Sequence, residues 1–141
     1  MPSIQIHHHE VEFEIHFPEK LLAWIQDAAK AEDCKITDLQ YILVSDEFLL
    51  QLNKDYLNHD TYTDIITFDY SNAIKEIVGE IYISMDRIKE NALKYKVKPH
   101  LEFSRVAIHG LLHLIGYNDK TPKQKEVMRQ KENHYISLLK F

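Results

Sequence analysis

Two histidines four residues apart, His109 and His113, stand in the run VAIHGLLHLIGYND, where every other residue from Val106 to Ile115 except Gly110 is apolar. On a helix that spacing puts both imidazoles on one face, with Cβ atoms about 6 Å apart, so both can aim at a common point. An imidazole buried without a partner costs on the order of 1–3 kcal/mol, and a helix carrying two of them needs something that satisfies both. Gly116 ends the run and can take a positive φ, folding the chain back toward the last helical turn. Three residues later comes Asp119. The pattern H-x-x-x-H-x-x-G-x-x-D therefore offers two nitrogens from a rigid helix and one oxygen from the returning loop. Three protein ligands with a fourth position open is the arrangement of a catalytic zinc site. H-E-x-x-H hydrolases carry their general base directly after the first histidine, and here that position is Gly110. A glycine there predicts that another backbone approaches this face of the helix.

Composition narrows the chemistry further. Cys34 is the only cysteine, so a metal site must use nitrogen and oxygen ligands. The formal charge of −5 argues against indiscriminate nucleic-acid binding, although Arg87, Lys89, Lys94, Lys96 and Lys98 outnumber Asp86 and Glu90 in one local segment. That segment reads either as a path for a phosphate backbone or as a solvated helix face. No apolar stretch approaches a membrane span, and MPSIQIHHHE lacks the basic-then-apolar order of a secretory signal, so a soluble, cytoplasmic protein is expected. With 141 residues and no repeat or Gly/Ser linker, the chain is expected to form a single domain over 1–141.

The elements that must position the histidines follow from periodicity. SIQIHH and EVEFEI alternate as strands do and are expected to form one interrupted strand at the sheet edge. PEKLLAWIQDAAKAE is an amphipathic helix with Pro18 in its first turn and Leu21, Leu22, Trp24, Ile25 and Ala28 as its buried stripe. DLQYILVS is a strand, and Ser45 or Asp46 caps the helix EFLLQLNKDYL behind it. YTDIITFDY and EIVGEIYIS read as neighbouring antiparallel strands. MDRIKENALKYKV is helical, Pro99 opens the helix that ends at Gly116, and Thr121, Pro122 and Gln124 form a capping box for the last helix. Interleaved strands and helices give an α+β or α/β sandwich of about four strands and five helices. His7, His8 and His9 lie on a strand and point to alternating faces, so they cannot share one ion. They, His16, His59, His100 and His134 are expected to be structural or solvent-facing, and Trp24, Tyr41, Phe48 and Phe68 to be core.

HGLLHLIGYND, preceded by LNKDYLNHDTYTDIITFDY and VGEIYIS, resembles the YbeY family of bacterial metal-dependent endoribonucleases, the ribosomal RNA maturation factors. The likeness runs from about Asp38 onward, in the family's order and spacing: L-N-x-x-Y-R, T-D-V-L-S-F, G-D-I and H-G-x-L-H-L-x-G-Y-D-H. It implies an α+β fold, a mixed sheet of about four strands flanked by about five helices, with a zincin-like metal-binding helix. It further implies a zinc-like ion and action on single-stranded RNA, above all the 3′ end of small-subunit ribosomal RNA. The partners would then be RNA and the ribosomal small subunit, with no DNA and no membrane. His109 and His113 match two family ligands, and the third family histidine falls on Asp119. Zinc is the expected ion, and because a carboxylate is harder than an imidazole another divalent transition metal, such as iron or manganese, stays open. Thr63, Asp64 and Thr67 match the polar positions of T-D-V-L-S-F and are expected to wall a substrate cleft; Thr63 and Asp64 also suit a turn, and Thr67 an outward strand position. Leu57 stands where the family pattern has an arginine, the residue that would clamp a phosphate or meet developing charge. Two alternatives remain. One is a metallopeptidase-like hydrolase, on the ligand spacing; the other is a non-catalytic ribosome-assembly factor with a structural metal, on Leu57.

Overall fold

A computed structural model of the protein describes residues 3–57 and 63–139. Among them are four strands and five helices: β1 (Ser3–His8), α1 (Pro18–Ala31), β2 (Lys35–Val44), α2 (Asp46–Leu57), β3 (Ile65–Asp69), β4 (Glu76–Ser84), α3 (Met85–Tyr95), α4 (Pro99–Ile115) and α5 (Pro122–Ser137). The strands form one mixed sheet in the order β1-β2-β4-β3. β1 runs parallel to β2 and β2 parallel to β4, while β3 and β4 are the antiparallel neighbours expected from their sequences.

β2 and β4 sit in the middle of the sheet, which is why YILV and IYIS read as nearly continuous apolar runs. One face, with Leu39, Tyr41, Leu43, Ile81 and Ile83 fully buried, packs in the same core as Ile25, Ile88 and Leu111 from α1, α3 and α4. The other face carries a smaller cluster of Val44, Leu49 and Ile66, with Phe48 and Phe68 packed against it. Ser45 Oγ accepts the Phe48 N–H at 3.1 Å, so Ser45 is the cap of α2. The capping box of α5 forms as expected, with Thr121 and Gln124 each satisfying the other's backbone. Trp24 and Tyr41 are core, and their polar ends are used: Trp24 Nε1 donates to the carbonyl of Tyr135 at 2.8 Å, and Tyr41 Oη to that of Ala107 at 2.9 Å.

β1 is an edge strand, but Val11–Ile15 is not a strand. Glu10 takes a positive φ of 57°, and the Phe13 carbonyl meets the His8 imidazole at 2.9 Å. The segment therefore leaves the ladder while Val11, Phe13 and Ile15 still pack against the core, with Phe13 tilted on Phe103 at 5.5 Å. Alternation there reports burial without pairing. In α1 the buried stripe contains Ala29, and Leu22 is only partly buried.

α4 is the element around which the others pack. Its residues Phe103, Ala107, Ile108, Leu111 and Leu112 are almost without solvent exposure. At Gly110 the helix lies close against the sheet: a Cβ there would lie 2.8 Å from Ile65 Cδ1 and 2.9 Å from Ile81 Cγ2. The close neighbours are thus side chains of β3 and β4, where the sequence suggested a backbone. Ile65 can swing its terminal methyl aside, but Ile81 is branched at Cβ and fully buried. Overpacking of this kind costs typically ~1–3 kcal/mol, against ~1 kcal/mol gained by replacing a helix-interior glycine with alanine. Gly110→Ala is therefore expected to lower stability by up to about 2 kcal/mol, seen as a lower urea midpoint with an unchanged slope. Greater stability would show slack between α4 and the sheet.

Candidate metal centre

At its C-terminal end α4 turns one face away from the core, and that face carries His109 and His113. Their rings stand edge to face with centroids 4.7 Å apart. Gly116 closes the helix at φ 128°, its N–H donating to the carbonyls of Leu112 and His113, and the Tyr117 N–H returns to Leu112 at 3.0 Å. This reversal brings Asp119 back over the last turn. Asp119 Oδ2 lies 3.4 Å from His109 Nε2 and 3.5 Å from His113 Nε2. The three ligand atoms sit within 4.8 Å of one another, and among the described residues they are the one His/Cys/Asp/Glu group so arranged. Bonds of about 2.0–2.1 Å in tetrahedral geometry set neighbouring donor atoms roughly 3.3–3.4 Å apart, so the two Asp119 edges match a small divalent ion.

The orientation of His109 supplies a second test of that fit. Its Nδ1 meets Glu132 Oε2 of α5 at 2.6 Å. With Nδ1 carrying the hydrogen, Nε2 presents its lone pair toward Asp119 and His113, the carboxylate–histidine arrangement that fixes tautomer and ring direction at metal sites. Glu132 is only 5% exposed, and its other oxygen accepts from Arg105 Nη1 at 3.1 Å, with Arg129 Nη1 at 3.9 Å. Burial alone would raise the Glu132 carboxyl, but the His109 hydrogen bond and the His109 and Arg105 charges hold it below the usual carboxylate range. Burial likewise opposes charge on His109, and Glu132, Asp119 and Asp64 outweigh it, so the imidazole is pushed up. A proton on His109 and an ion on its Nε2 compete for one lone pair, so ion binding releases that proton.

The loop carrying Asp119 is held from its far side. Glu32, at the end of α1, accepts from Tyr117 Oη at 2.6 Å, from Lys131 Nζ at 3.0 Å and from Tyr135 Oη. One carboxylate thereby joins α1, the loop after α4 and α5. Burial would raise Glu32, but these three donors keep it below the usual range.

The remaining expected residues separate. Asp64 joins His109, Asp119 and Glu132 in lining a cleft, where burial raises its carboxyl against the pull of His109. Thr63 turns back, its Oγ1 donating to the Ile65 carbonyl at 3.3 Å. Thr67 pairs with Ile81 in the β3–β4 ladder and does not line the cleft. His7, His8, His9, His16, His100 and His134 all lie outside the cluster: His16 and His100 stack on each other, and His9 tilts on Phe48. His59 falls outside the described residues. In the basic segment Arg87 is engaged by Asp46 and Glu90, and the Lys94 ammonium lies 5.4 Å from the centre of the Tyr95 ring.

Glu132, Arg105 and Glu32 were not singled out in the sequence. Glu132 left one readable trace: Met128, Glu132 and Tyr135 are the buried stripe of α5, and a carboxylate in an apolar stripe needs a partner.

Removing the orienting carboxylate by Glu132→Gln should weaken binding of a divalent ion by about 10–100-fold while the chain stays folded, measured by competition with a chromogenic chelator. Parent affinity in that variant would show that Glu132 is only structural. The Glu32 clamp has a pH signature. Its folded carboxyl binds a proton less readily than the unfolded one, so its stabilisation is complete above the unfolded value of about 4.3 and is lost as the pH falls through the lower folded value. Glu32→Gln should flatten the fall in stability across that acid window; an unchanged slope would place the acid sensitivity elsewhere.

The endoribonuclease YbeY family matches residues 3–140 of this chain. A relative from Cytophaga hutchinsonii, named endoribonuclease YbeY, is 48% identical over 132 residues, covering 94% of this chain and 92% of its own. One from Amoebophilus asiaticus with the same name is 42% identical over 96% of this chain and 94% of its own. The solution structure of TM1509 from Thermotoga maritima superposes with a TM-score of 0.65 at 27% identity, over 97% of this chain and 89% of that one. Matches of this extent at both chain ends, on a fold that brings the expected ligands together, make the chain a member of the endoribonuclease YbeY family.

Proposed function

We propose that the protein is a metal-dependent endoribonuclease of ribosomal RNA maturation whose ion is zinc, held by His109, His113 and Asp119, and whose substrate is the single-stranded 3′ end of small-subunit ribosomal RNA. It would work in the cytoplasm as a single domain over 1–141. The observation that carries this reading is the convergence of two Nε2 atoms and one carboxylate oxygen in front of the Glu132–Arg105 pair, whose carboxylate is buried. When bound, such an ion supplies Lewis-acid polarisation of a phosphoryl oxygen and makes water a nucleophile near neutral pH. Glu132 keeps the His109 hydrogen on Nδ1, and His109 together with Arg105 favours the ionised form of Glu132. Arg129, 65% exposed on its side chain at the rim of the same cleft, offers a cation for a phosphate there, a role that Leu57 cannot fill. No helix among the described residues is long and apolar enough to cross a membrane.

The metallopeptidase reading loses ground at Gly110, because the position where H-E-x-x-H enzymes carry their base is pressed against Ile65 and Ile81 and has no room for a carboxylate. The experiment compares parent and His113→Ala for metal content and for cleavage of labelled small-subunit RNA 3′ ends, with casein as the second substrate. The parent should hold about one divalent ion per chain, cut the RNA and leave casein intact, and the variant should lose both ion and cleavage. Full ion content in His113→Ala would sink the ligand assignment, and metal loading without RNA cleavage would favour an assembly factor.

A further inference from the structure

The cleft beside the ligands extends well past them. It encloses about 630 Å³, within the range of small-molecule sites, with Asn91 and Tyr95 of α3 on one wall, Arg129 and Glu132 of α5 on the other, and α4 as the floor. Glu102, Arg105 and His109 follow one another on α4 at i, i+3 and i+7, so they share the face that forms this floor. Glu102 therefore stands about 10 Å from His109 along the helix axis, within reach of a nucleotide next to a phosphate held at the ligands.

Glu102 is only 7% exposed, and no hydrogen bond or ion pair engages its carboxylate among the described residues. No sealed polar side-chain atom there lacks a partner, so the Glu102 oxygens open onto the cleft they line. Burial raises this carboxyl above the usual range, and Arg105 only partly opposes it. Acceptor oxygens that open onto a cleft from an otherwise buried residue, with no donor from the protein, suit a ligand that brings N–H donors. The two oxygens of a carboxylate lie side by side and match two parallel N–H groups. Among the four RNA bases only guanine presents two adjacent donors, N1–H and N2–H, on its Watson–Crick edge, and that edge is free only in single-stranded RNA. Tyr95, 58% exposed, supplies an aromatic ring at the same wall.

We propose that this part of the cleft is a nucleobase subsite in which the Glu102 carboxylate accepts N1–H and N2–H of an unpaired guanine flanking the scissile phosphate, with Tyr95 as its stacking surface. Glu102 is then a specificity-determining residue, and the assignment rests on the endoribonuclease reading above.

The test uses the full-length, metal-loaded protein and three single-stranded RNA oligonucleotides, otherwise identical, that carry guanine, inosine or adenine at one position. Inosine keeps N1–H and lacks the N2 amino group. Binding by fluorescence anisotropy and kcat/KM for cleavage beside that position are both measured. The parent should prefer guanine over adenine by about tenfold or more, with inosine between them. Glu102→Gln should lose the guanine preference with metal content unchanged, because glutamine cannot accept both donors. Tyr95→Ala should weaken binding of all three alike. Equal binding and cleavage of the three by the parent overturns the subsite without recourse to any variant, as does a Glu102→Gln protein that keeps the parent's discrimination. A parent that binds guanine tightest yet cuts none of the three supports the subsite and contradicts the proposed activity.

Discussion

A carboxylate almost sealed from water has to be answered, and the answer given to Glu132 organises this molecule. Its two oxygens are shared between an arginine and a histidine of the same helix, Arg105 and His109, which lie four residues apart on α4. Taking either partner away would leave one oxygen of a nearly sealed carboxylate without its donor, a loss larger than that of an exposed pair. The contact therefore fixes the docking of α5 on α4 and the rotation of the His109 ring together. It also explains how α4 can be apolar on nearly every side and still end in a polar face: the histidines are supported from behind by groups that belong to the interior. Glu32 plays the corresponding part for the loop after Gly116, gathering Tyr117, Lys131 and Tyr135 onto one carboxylate.

What the sequence disclosed divides along the same line. His109, His113, Gly116 and Asp119 lie within eleven residues, so helical spacing and one turn are enough to bring them together. The helices announced themselves through Pro18, Pro99 and the Thr121–Gln124 capping box, and the β3–β4 pair through its β-branched runs. Glu132 and Glu32 are 23 and 85 residues from the groups they hold, His109 and Tyr117, and no local rule reaches across such gaps. The misreading of Val11–Ile15 has a similar cause. Alternation says which side chains face inward, and only the tertiary arrangement says whether a neighbouring strand is there to pair. Gly110 was legible as a point of close approach, but whether side chain or backbone stood opposite was not. Of Thr63, Asp64 and Thr67, identical in type to what a cleft wall needs, only Asp64 is turned toward the cleft by the entry of the chain into β3.

The cleft itself holds four carboxylates, from Asp64, Glu102, Asp119 and Glu132, against the two guanidinium groups of Arg105 and Arg129. A polyanion gains little from such a surface until a divalent cation sits in it. The chain's overall charge of −5 points the same way. A broad positive field is absent from this cleft, and its two cations are Arg105 and Arg129.

The short span of the ligand set carries one more consequence, for energetics outside the native state. Because His109, His113 and Asp119 are close in sequence, a chain that has lost its tertiary packing still brings them within chelating distance whenever the 109–119 segment turns helical. An ion held by these three would then have some affinity for the denatured ensemble as well, and the stabilisation it conferred on folding would be smaller than its native-state affinity implies. Glu132 and Glu32 can act only after α5 and α1 have docked, so what they add to such a site is available to the native state alone.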